Sequence, residues 1–399
     1  MSATSSSRTS GATHARCLHF GACGGCSIQD LAYEAQLAFK KEAVSKALSG
    51  LSGLPPLSIV GAPEHWYYRN KMEFSFGDVY PPVAGGPWLK LGMKPKGRWH
   101  TILDLEECHL PSPEAAGLLK AVRSWAEREK VPPYNSHKKE GVLRNLVIRE
   151  AKNTPERMVV LVCGEGAVPK ESFVDAVLSV YPATTILIGR HVSVSDTAQT
   201  ESVEVLYGAG HIKETLRFPE GPVSYRISPG SFFQTNTRGT EVLYGVVRDW
   251  ARELGGGLAL DLYCGGGGIT LALAGACRKV VGVELVEAAV RDAEANAALN
   301  GITNCDFYHA KAEFLLPALL DMGPDFAVVD PPRAGLHKAA VQALLKDSPP
   351  ALIYVSCNPE ALARDLKPLS ERYAVERLTA VDLFPHTGHV ETVALLKRR

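Results

Sequence analysis

The stretch Leu258-Ala-Leu-Asp261-Leu-Tyr263-Cys-Gly265-Gly-Gly-Gly268-Ile-Thr270 decides the fold. Its apolar run, Leu258 to Tyr263, reads as a strand, and a helical run, Thr270 to Ala276, begins just past the glycines. Glycines at a strand-to-helix turn let the backbone come close to a ligand, because no Cβ stands in the way. Further along, strand and helix patterns keep alternating. Val280–Glu284, Phe326–Asp330 and Leu352–Ser356 read as strands, with helices at Ala288–Leu299 and Ala339–Leu345 and two last strands at Ala374–Val381 and Val390–Lys397. On the N-terminal side, Asn236 can cap a helix that runs to Leu254 and is stopped by Gly255, Gly256 and Gly257. The expectation is an α/β fold with a doubly wound, Rossmann-like sheet, whose ligand binds off the carboxyl ends of the strands. Glu284 ends the second strand, at the interval where an acid takes ribose hydroxyls. The glycine turn alone would suit NAD equally well, so the remaining strand ends must discriminate.

The middle of the chain has a different grain. Short β-branched runs alternate with Gly/Pro-rich turns at Met72–Phe76, Leu143–Arg149, Met158–Cys163 and Thr185–Gly189. Val203–Tyr207 and Ile212–Leu216 flank Gly208-Ala209-Gly210, which predicts a hairpin. A smaller, mostly antiparallel β-rich domain is therefore expected over residues 16–230, ahead of a catalytic domain at 231–399. The helical stretch Asp30–Leu48, with Gly50 just beyond it, is expected to pack on the catalytic domain despite its early position. Met1 to Ala15 is rich in Ser and Thr, lacks the apolar core of a signal peptide, and reads as a disordered tail. No apolar run is long enough to span a bilayer, so no membrane partner is expected and the cytoplasm is the default location.

With 43 basic and 43 acidic residues the formal net charge is zero, which alone gives no reason to expect a polyanionic partner. Distribution matters more than the sum. Lys90, Lys94, Lys96 and Arg98 fall in a stretch between Asp78 and Asp104 that has no acid, and His137, Lys138, Lys139, Arg144 and Arg149 make a second basic stretch. Charge alone fits a solvated face equally well.

The strand ends carry the chemistry. Asp330-Pro331-Pro332-Arg333 closes one strand, and the two prolines fix the backbone so that Asp330 projects rigidly. Ser356-Cys357-Asn358-Pro359 closes the next, and Pro385-His386-Thr387-Gly388-His389-Val390-Glu391 opens the last. A doubly wound sheet brings all three to the ligand edge. Each alone is bland, since strand-end acids and buried cysteines are common; together they put a thiol and two carboxyls beside one ligand. That set suits methylation of a pyrimidine carbon. C5 of uracil is too weak a nucleophile to attack a methyl sulfonium unaided. A thiolate adding at C6 pushes electron density to C5, and a base must later remove the C5 proton so that the thiol can leave. Cys357 fits the nucleophile, Glu391 the base, and Asp330 a group that orients the ring.

These residues are recognisable. Asp330-Pro-Pro-Arg333, Ser356-Cys-Asn-Pro359, His389-Val-Glu391, Phe232-Phe-Gln234, Asp261-Leu-Tyr-Cys-Gly265 and Tyr68-Arg-Asn-Lys71 closely resemble the RNA 5-methyluridine (uracil-C5) methyltransferase family, from about Cys17 to the end. The resemblance implies a class I S-adenosyl-L-methionine methyltransferase domain beside a smaller RNA-binding domain. It implies a cofactor site of Gln234, Tyr263, Gly265, Glu284 and Asp330, with Cys357 as nucleophile and Glu391 as proton acceptor. One departure is visible: many members carry Asn or Asp where this chain has Gly268.

Nine cysteines in a chain expected to be cytosolic do not suggest a disulfide framework. Cys17, Cys23 and Cys26 crowd one glycine-bearing loop, a spacing that suits an iron–sulfur cluster or zinc. The loop resembles that of the family's iron–sulfur branch, which implies a [4Fe-4S] cluster with Cys108 as fourth ligand. Because the loop begins almost at once, the extra N-terminal barrel (TRAM) of some members is expected to be absent. A uridine must be flipped out of its stack to meet a thiolate. Arg69, Lys71, Lys94, Lys96, Arg98, Arg144 and Arg149 are candidates for phosphates, and Tyr67, Tyr68 or Phe232 for base stacking. Cluster-bearing relatives point to 23S rRNA as the partner ahead of the T-loop of tRNA, and a monomer is expected. Two rivals are an RNA 5-methylcytosine transferase, which usually has an extra Cys in its proline-rich segment, and an iron–sulfur RNA-binding or redox-sensing protein without catalysis. Asp330-Pro331-Pro332 lacks that Cys, and the intact Cys357/Glu391 pair argues against the second.

Overall fold

The computed structural model describes residues 13–79, 86–98, 101–135, 138–193, 198 and 200–399; most of the expected tail, and His137, lie outside them. The chain opens with α1 (Tyr33–Leu48) and β1 (Leu57–Val60), and both pack with its C-terminal half. β1 pairs in parallel with β16 (Tyr373–Val381), Leu57 opposite Leu378, and α1 lies on α9 (Pro359–Leu369).

The middle of the chain builds a seven-stranded sheet. It comprises β2 (Lys71–Asp78), β3 (Leu89–Met93), β4 (Leu103–Asp104), β5 (Leu143–Glu150), β6 (Arg157–Cys163), β7 (Thr185–Arg190) and β8 (Ser202–Tyr207), in the order β4-β3-β2-β5-β6-β7-β8. Neighbours are antiparallel except β6 and β7, which α3 (Lys170–Leu178) joins by a crossover. α3 and α2 (Glu114–Arg128) cover one face, burying Trp125 and Phe173 against Phe74, Leu146, Leu161 and Ile186.

Gly208-Ala209-Gly210 does not close the hairpin expected from the sequence. β8 pairs with β7, whereas β9 (Ile212–Phe218) pairs with β10 (Gly221–Ile227) in a separate ribbon. Thr185 Oγ1 donates to Tyr207 O and accepts from Gly210 N, both at 2.9 Å, which pins the turn to the start of β7 and sends the chain away. Gly208 has φ 76°, and a Cβ there would lie 2.0 Å from Thr184 O, so the turn requires glycine. The alternating Ile212, Leu216, Tyr225 and Ile227 bury against the catalytic side, where the ribbon meets α4 (Thr237–Glu253) and α6 (Glu287–Leu299). The same cluster holds Val147, Met158, Val160 and Val162 of the seven-stranded sheet, so the ribbon shares a core with both halves.

The C-terminal half holds β11 (Leu258–Leu262), α5 (Gly268–Leu273), β12 (Lys279–Glu284), β13 (Cys305–His309), α7 (Ala312–Leu320), β14 (Phe326–Val329), α8 (Lys338–Lys346), β15 (Ala351–Ser356) and β17 (Glu391–Arg398). The order is β1-β16-β17-β15-β14-β11-β12-β13, and only β17 runs against its neighbours. This is the class I methyltransferase arrangement. β11, β14 and β15 are buried on both faces, which is why they read as unbroken apolar runs. Each fully buried aliphatic side chain there contributes roughly 1.5–3 kcal/mol. α4 starts where Asn236 Oδ1 accepts from Gly239 N at 2.9 Å.

Candidate active site

Strand register assembles the site. Leu262 pairs with Val329, and Val329 with Tyr354, so Tyr263 and Asp330 step off the sheet side by side. β17 is antiparallel to β15, with Ser356 opposite Thr392. One step beyond that pair, Cys357 leaves β15 as Glu391 enters β17. Cys357, Asp330 and Glu391 therefore share one edge and line one cleft of about 2560 Å³, together with Gln234, Tyr263, Gly265 and Glu284.

Cys357 directly precedes α9, whose N-cap Asn358 accepts from Glu360 N at 3.2 Å while its amide donates to Arg333 O at 2.9 Å. Ser356 Oγ donates to Asn358 O at 2.9 Å and completes a rigid turn. The half-buried thiol is pushed up by burial first, then by Glu391 and Asp330, and is drawn down by Arg333. Glu391, only 4% exposed, is pushed up to about 8 by burial and by Asp330. Burial raises Asp330 to about 7. Near neutral pH both carboxyls are thus poised to take or release a proton.

The glycine turn shows the features of a nucleotide pocket. Tyr263 has φ 69°, Gly265 φ 54°, and Gly265 N donates to Glu284 Oε2 at 3.0 Å. Val286 N donates to the other Glu284 oxygen at 2.8 Å, which fixes the carboxylate and leaves lone pairs for two hydroxyl donors. Among the described residues, Tyr263 Oη and Asp261 Oδ1 are buried without a hydrogen-bond partner. Buried polar groups are normally satisfied, so an unmet hydroxyl in the cleft wall calls for a ligand. No side chain fits at Gly268, because a Cβ there would lie 2.5 Å from Tyr244 Oη.

Several candidate RNA contacts are in fact internal. Tyr68 is fully buried and donates to Pro385 O at 3.0 Å, so it cannot stack on a base. Arg149, drawn down to about 10 by burial, donates to Pro229 O (3.1 Å) and Ser231 O (2.6 Å) and holds up the loop bearing Phe232 and Gln234. Arg144 stacks on Tyr134 at 3.8 Å and donates to Ser193 O. Arg69, Lys71 and the 68% exposed Phe232 do line the cleft. So do Arg226, Arg333 and Arg364, of which the sequence singled out only Arg333, as part of a motif.

Cys17, Cys23, Cys26 and Cys108 are half-buried free thiols on two neighbouring segments. Gln29 Nε2 donates to Cys26 Sγ (3.7 Å) and Gly25 N to Cys23 Sγ (3.4 Å). Burial pushes Cys26 up to about 12, and Cys108, Cys23 and Cys17 add to the effect, as mutual neighbours do. Among the described residues no group of three or more His, Cys, Asp or Glu is placed to hold a metal ion, and none is a helix able to cross a membrane.

A class I sheet with a thiol and two carboxyls on its ligand edge defines a methyltransferase. The family model described as tRNA (Uracil-5-)-methyltransferase matches residues 185–399. An uncharacterized RNA methyltransferase of Clostridium tetani is 38% identical over 96% of this chain and 84% of its own length. One from Chlorobaculum tepidum is 36% identical over 96% and 82%. The crystal structure of Pyrococcus abyssi tRNA (uracil-54, C5)-methyltransferase in complex with S-adenosyl-L-homocysteine superposes with a TM-score of 0.76 at 31% identity, covering 94% of this chain and 86% of that one. The chain belongs to the tRNA (uracil-5-)-methyltransferase family and is an RNA methyltransferase.

Proposed function

We propose that this enzyme methylates C5 of a uridine in RNA, using S-adenosyl-L-methionine, through a covalent adduct on Cys357. The observation that carries it is the register of β15 against β17, which sets Cys357 beside Glu391. Gln234, Tyr263, Gly265, Glu284 and Asp330 would hold the cofactor, whose sulfonium supplies the methyl. The unmet Tyr263 hydroxyl and the anchored Glu284 carboxylate fit such a ligand, and the Pyrococcus relative holds the corresponding product. Addition of the Cys357 thiolate to C6 moves the C5–C6 π pair onto C5, which would take the methyl as the donor's methyl–sulfur bond breaks. Asp330 hydrogen-bonds the ring edge. Glu391 then accepts the C5 proton, the C6–S bond breaks, and the C5–C6 double bond returns. A carboxyl lifted to about 8 suits this task, because a base works best with a pKa near the working pH.

The four N-terminal thiols are assigned to a [4Fe-4S] cluster. What supports this reading is the resemblance of the Cys17–Cys26 loop to the iron–sulfur branch and the mutual neighbourhood of the four thiols. The favoured substrate is 23S rRNA, on the likeness of this loop to cluster-bearing relatives. A second reading, the T-loop uridine of tRNA, draws on the Pyrococcus enzyme. We further assign the protein to the cytoplasm as a monomer with separate RNA-binding and catalytic domains. RNA carrying 5-fluorouridine should trap the wild type covalently, and Cys357→Ala should abolish both adduct and methylation while still binding RNA. Turnover by Cys357→Ala would overturn the mechanism. Mass mapping of RNA from a deletion strain decides between rRNA and tRNA.

A further inference from the structure

The corner that leads into β17 is built on a strained residue. His386 has φ 69°, a region that side chains with a Cβ rarely adopt and that persists only where the surroundings over-determine it. The surroundings do so here. Its ring stacks on Trp66 with centroids 3.8 Å apart. Its carbonyl accepts from Ser27 N at 2.9 Å and Ile28 N at 3.1 Å, and Gly388 N donates to Ser27 Oγ at 3.1 Å. Gln36, on α1 and only 1% exposed, makes the central clamp. Its Oε1 accepts from His386 N at 2.7 Å, and its Nε2 donates to Leu31 O at 2.9 Å and to His386 Nδ1 at 3.2 Å. With Nδ1 accepting, Nε2–H of the ring donates to His65 O at 2.8 Å. Every polar atom of both side chains is used, and the corner is held by α1 and by the backbone at Ser27, Ile28 and His65.

We propose that Gln36 is a positioning residue for the elimination step, acting through His386 to aim Glu391. The proposal rests on the reading of Glu391 as the proton acceptor. The two reacting groups are held by different hydrogen bonds, although α1, which carries Gln36, also lies on α9. Cys357 is set by the capped start of α9, which touches none of the corner's bonds. Glu391 enters its strand directly from the corner. Loosening the corner should therefore spare addition and methyl transfer and slow proton removal. It also gives α1 a role at a site far away in sequence, Gln36 and His386 being 350 residues apart.

The test compares wild type, Glu391→Gln, Gln36→Leu and Gln36→Glu on bulk RNA from a strain lacking the gene, with methyl-labelled S-adenosyl-L-methionine. Gln36→Leu should turn over roughly ten- to a hundredfold more slowly, as misplacement of a reacting group costs. It should accumulate the denaturation-resistant RNA adduct already carrying label, as Glu391→Gln does. Binding of S-adenosyl-L-homocysteine should stay within about twofold of wild type, because the corner does not bear the cofactor residues. Gln36→Glu keeps an acceptor for His386 N–H and should fall between; if the leucine variant does not fold, it carries the comparison. Wild-type turnover in the Gln36 variants, with adduct present in Glu391→Gln, overturns the positioning role. If Glu391→Gln itself gathers no labelled adduct, the base assignment falls and this inference with it.

Discussion

Glu391, Asp330 and Asp261 are carboxyls that the fold prefers neutral, at about 8, 7 and 7. Their folded pKa values lie above the unfolded ones, so the stability they contribute is fully present below about pH 4. It is lost as pH rises through 7 to 8. The unliganded enzyme should therefore melt at a falling temperature between pH 5 and pH 9. Glu391→Gln, which cannot ionise, should flatten that decline and melt higher than wild type at pH 9 while gaining little at pH 5. Thermal scans of both proteins check it, and equal slopes would refute the buried charge. Arg333 is the group that draws the Cys357 thiol down. Arg333→Met should move the pH dependence of 5-fluorouridine adduct formation to higher pH, read from the rate of trapping. At this scale the meeting of Cys357, Asp330 and Glu391 in one cleft was legible in sequence, because each sits in a short segment whose neighbours fix the backbone. Arg149 and Tyr68 were misread as surface groups. Their polar tips satisfy carbonyls from distant parts of the chain, and nothing local announces it.

Among elements, the glycine turn and the strands buried on both faces were plain from their apolar runs and breakers. β13 and β1 were not, since both lie at sheet edges with half-exposed residues and no clear alternation. The misread hairpin has a similar origin. β8 and β9 both look like strands around a Gly-x-Gly turn, but whether two strands pair is decided by what else pairs with them. The turn into α5 offers its own test. A side chain at Gly268 would meet the Tyr244 hydroxyl, and without that oxygen the nearest ring atom is 3.3 Å away. Gly268→Asn should lower the melting temperature, by about 1–3 kcal/mol of stability as overpacking costs. Tyr244→Phe in the same chain should restore part of it. Equal melting of the single and double variants would show that the space is not the constraint.

For the molecule as a whole, protein purified without oxygen should be brown and carry about four iron atoms per chain, as a cubane on four thiolates does. One zinc and no iron, in protein made with ample iron, would reject that assignment. The early α1 and β1, legible only in part, show that the catalytic half is assembled from both ends of the chain, with β1 on the edge beside β16. Between those ends the β-rich half leaves and returns at one place. Arg69 bridges to Asn236, Asn70 N donates to Thr235 O at 2.9 Å, and Asn70 Nδ2 donates to Gln234 O and to Thr237 Oγ1, at 2.9 Å each. The two crossing points are 167 residues apart in sequence and adjacent in space. A cassette whose two ends meet can be exchanged as a unit if its bonds to the other half are kept, among them those of the ribbon to Asn296 and Asn300. Transplanting it from a relative with another RNA preference, cut beside Asn70 and Thr235, should carry that preference across while the thiol chemistry stays where it is.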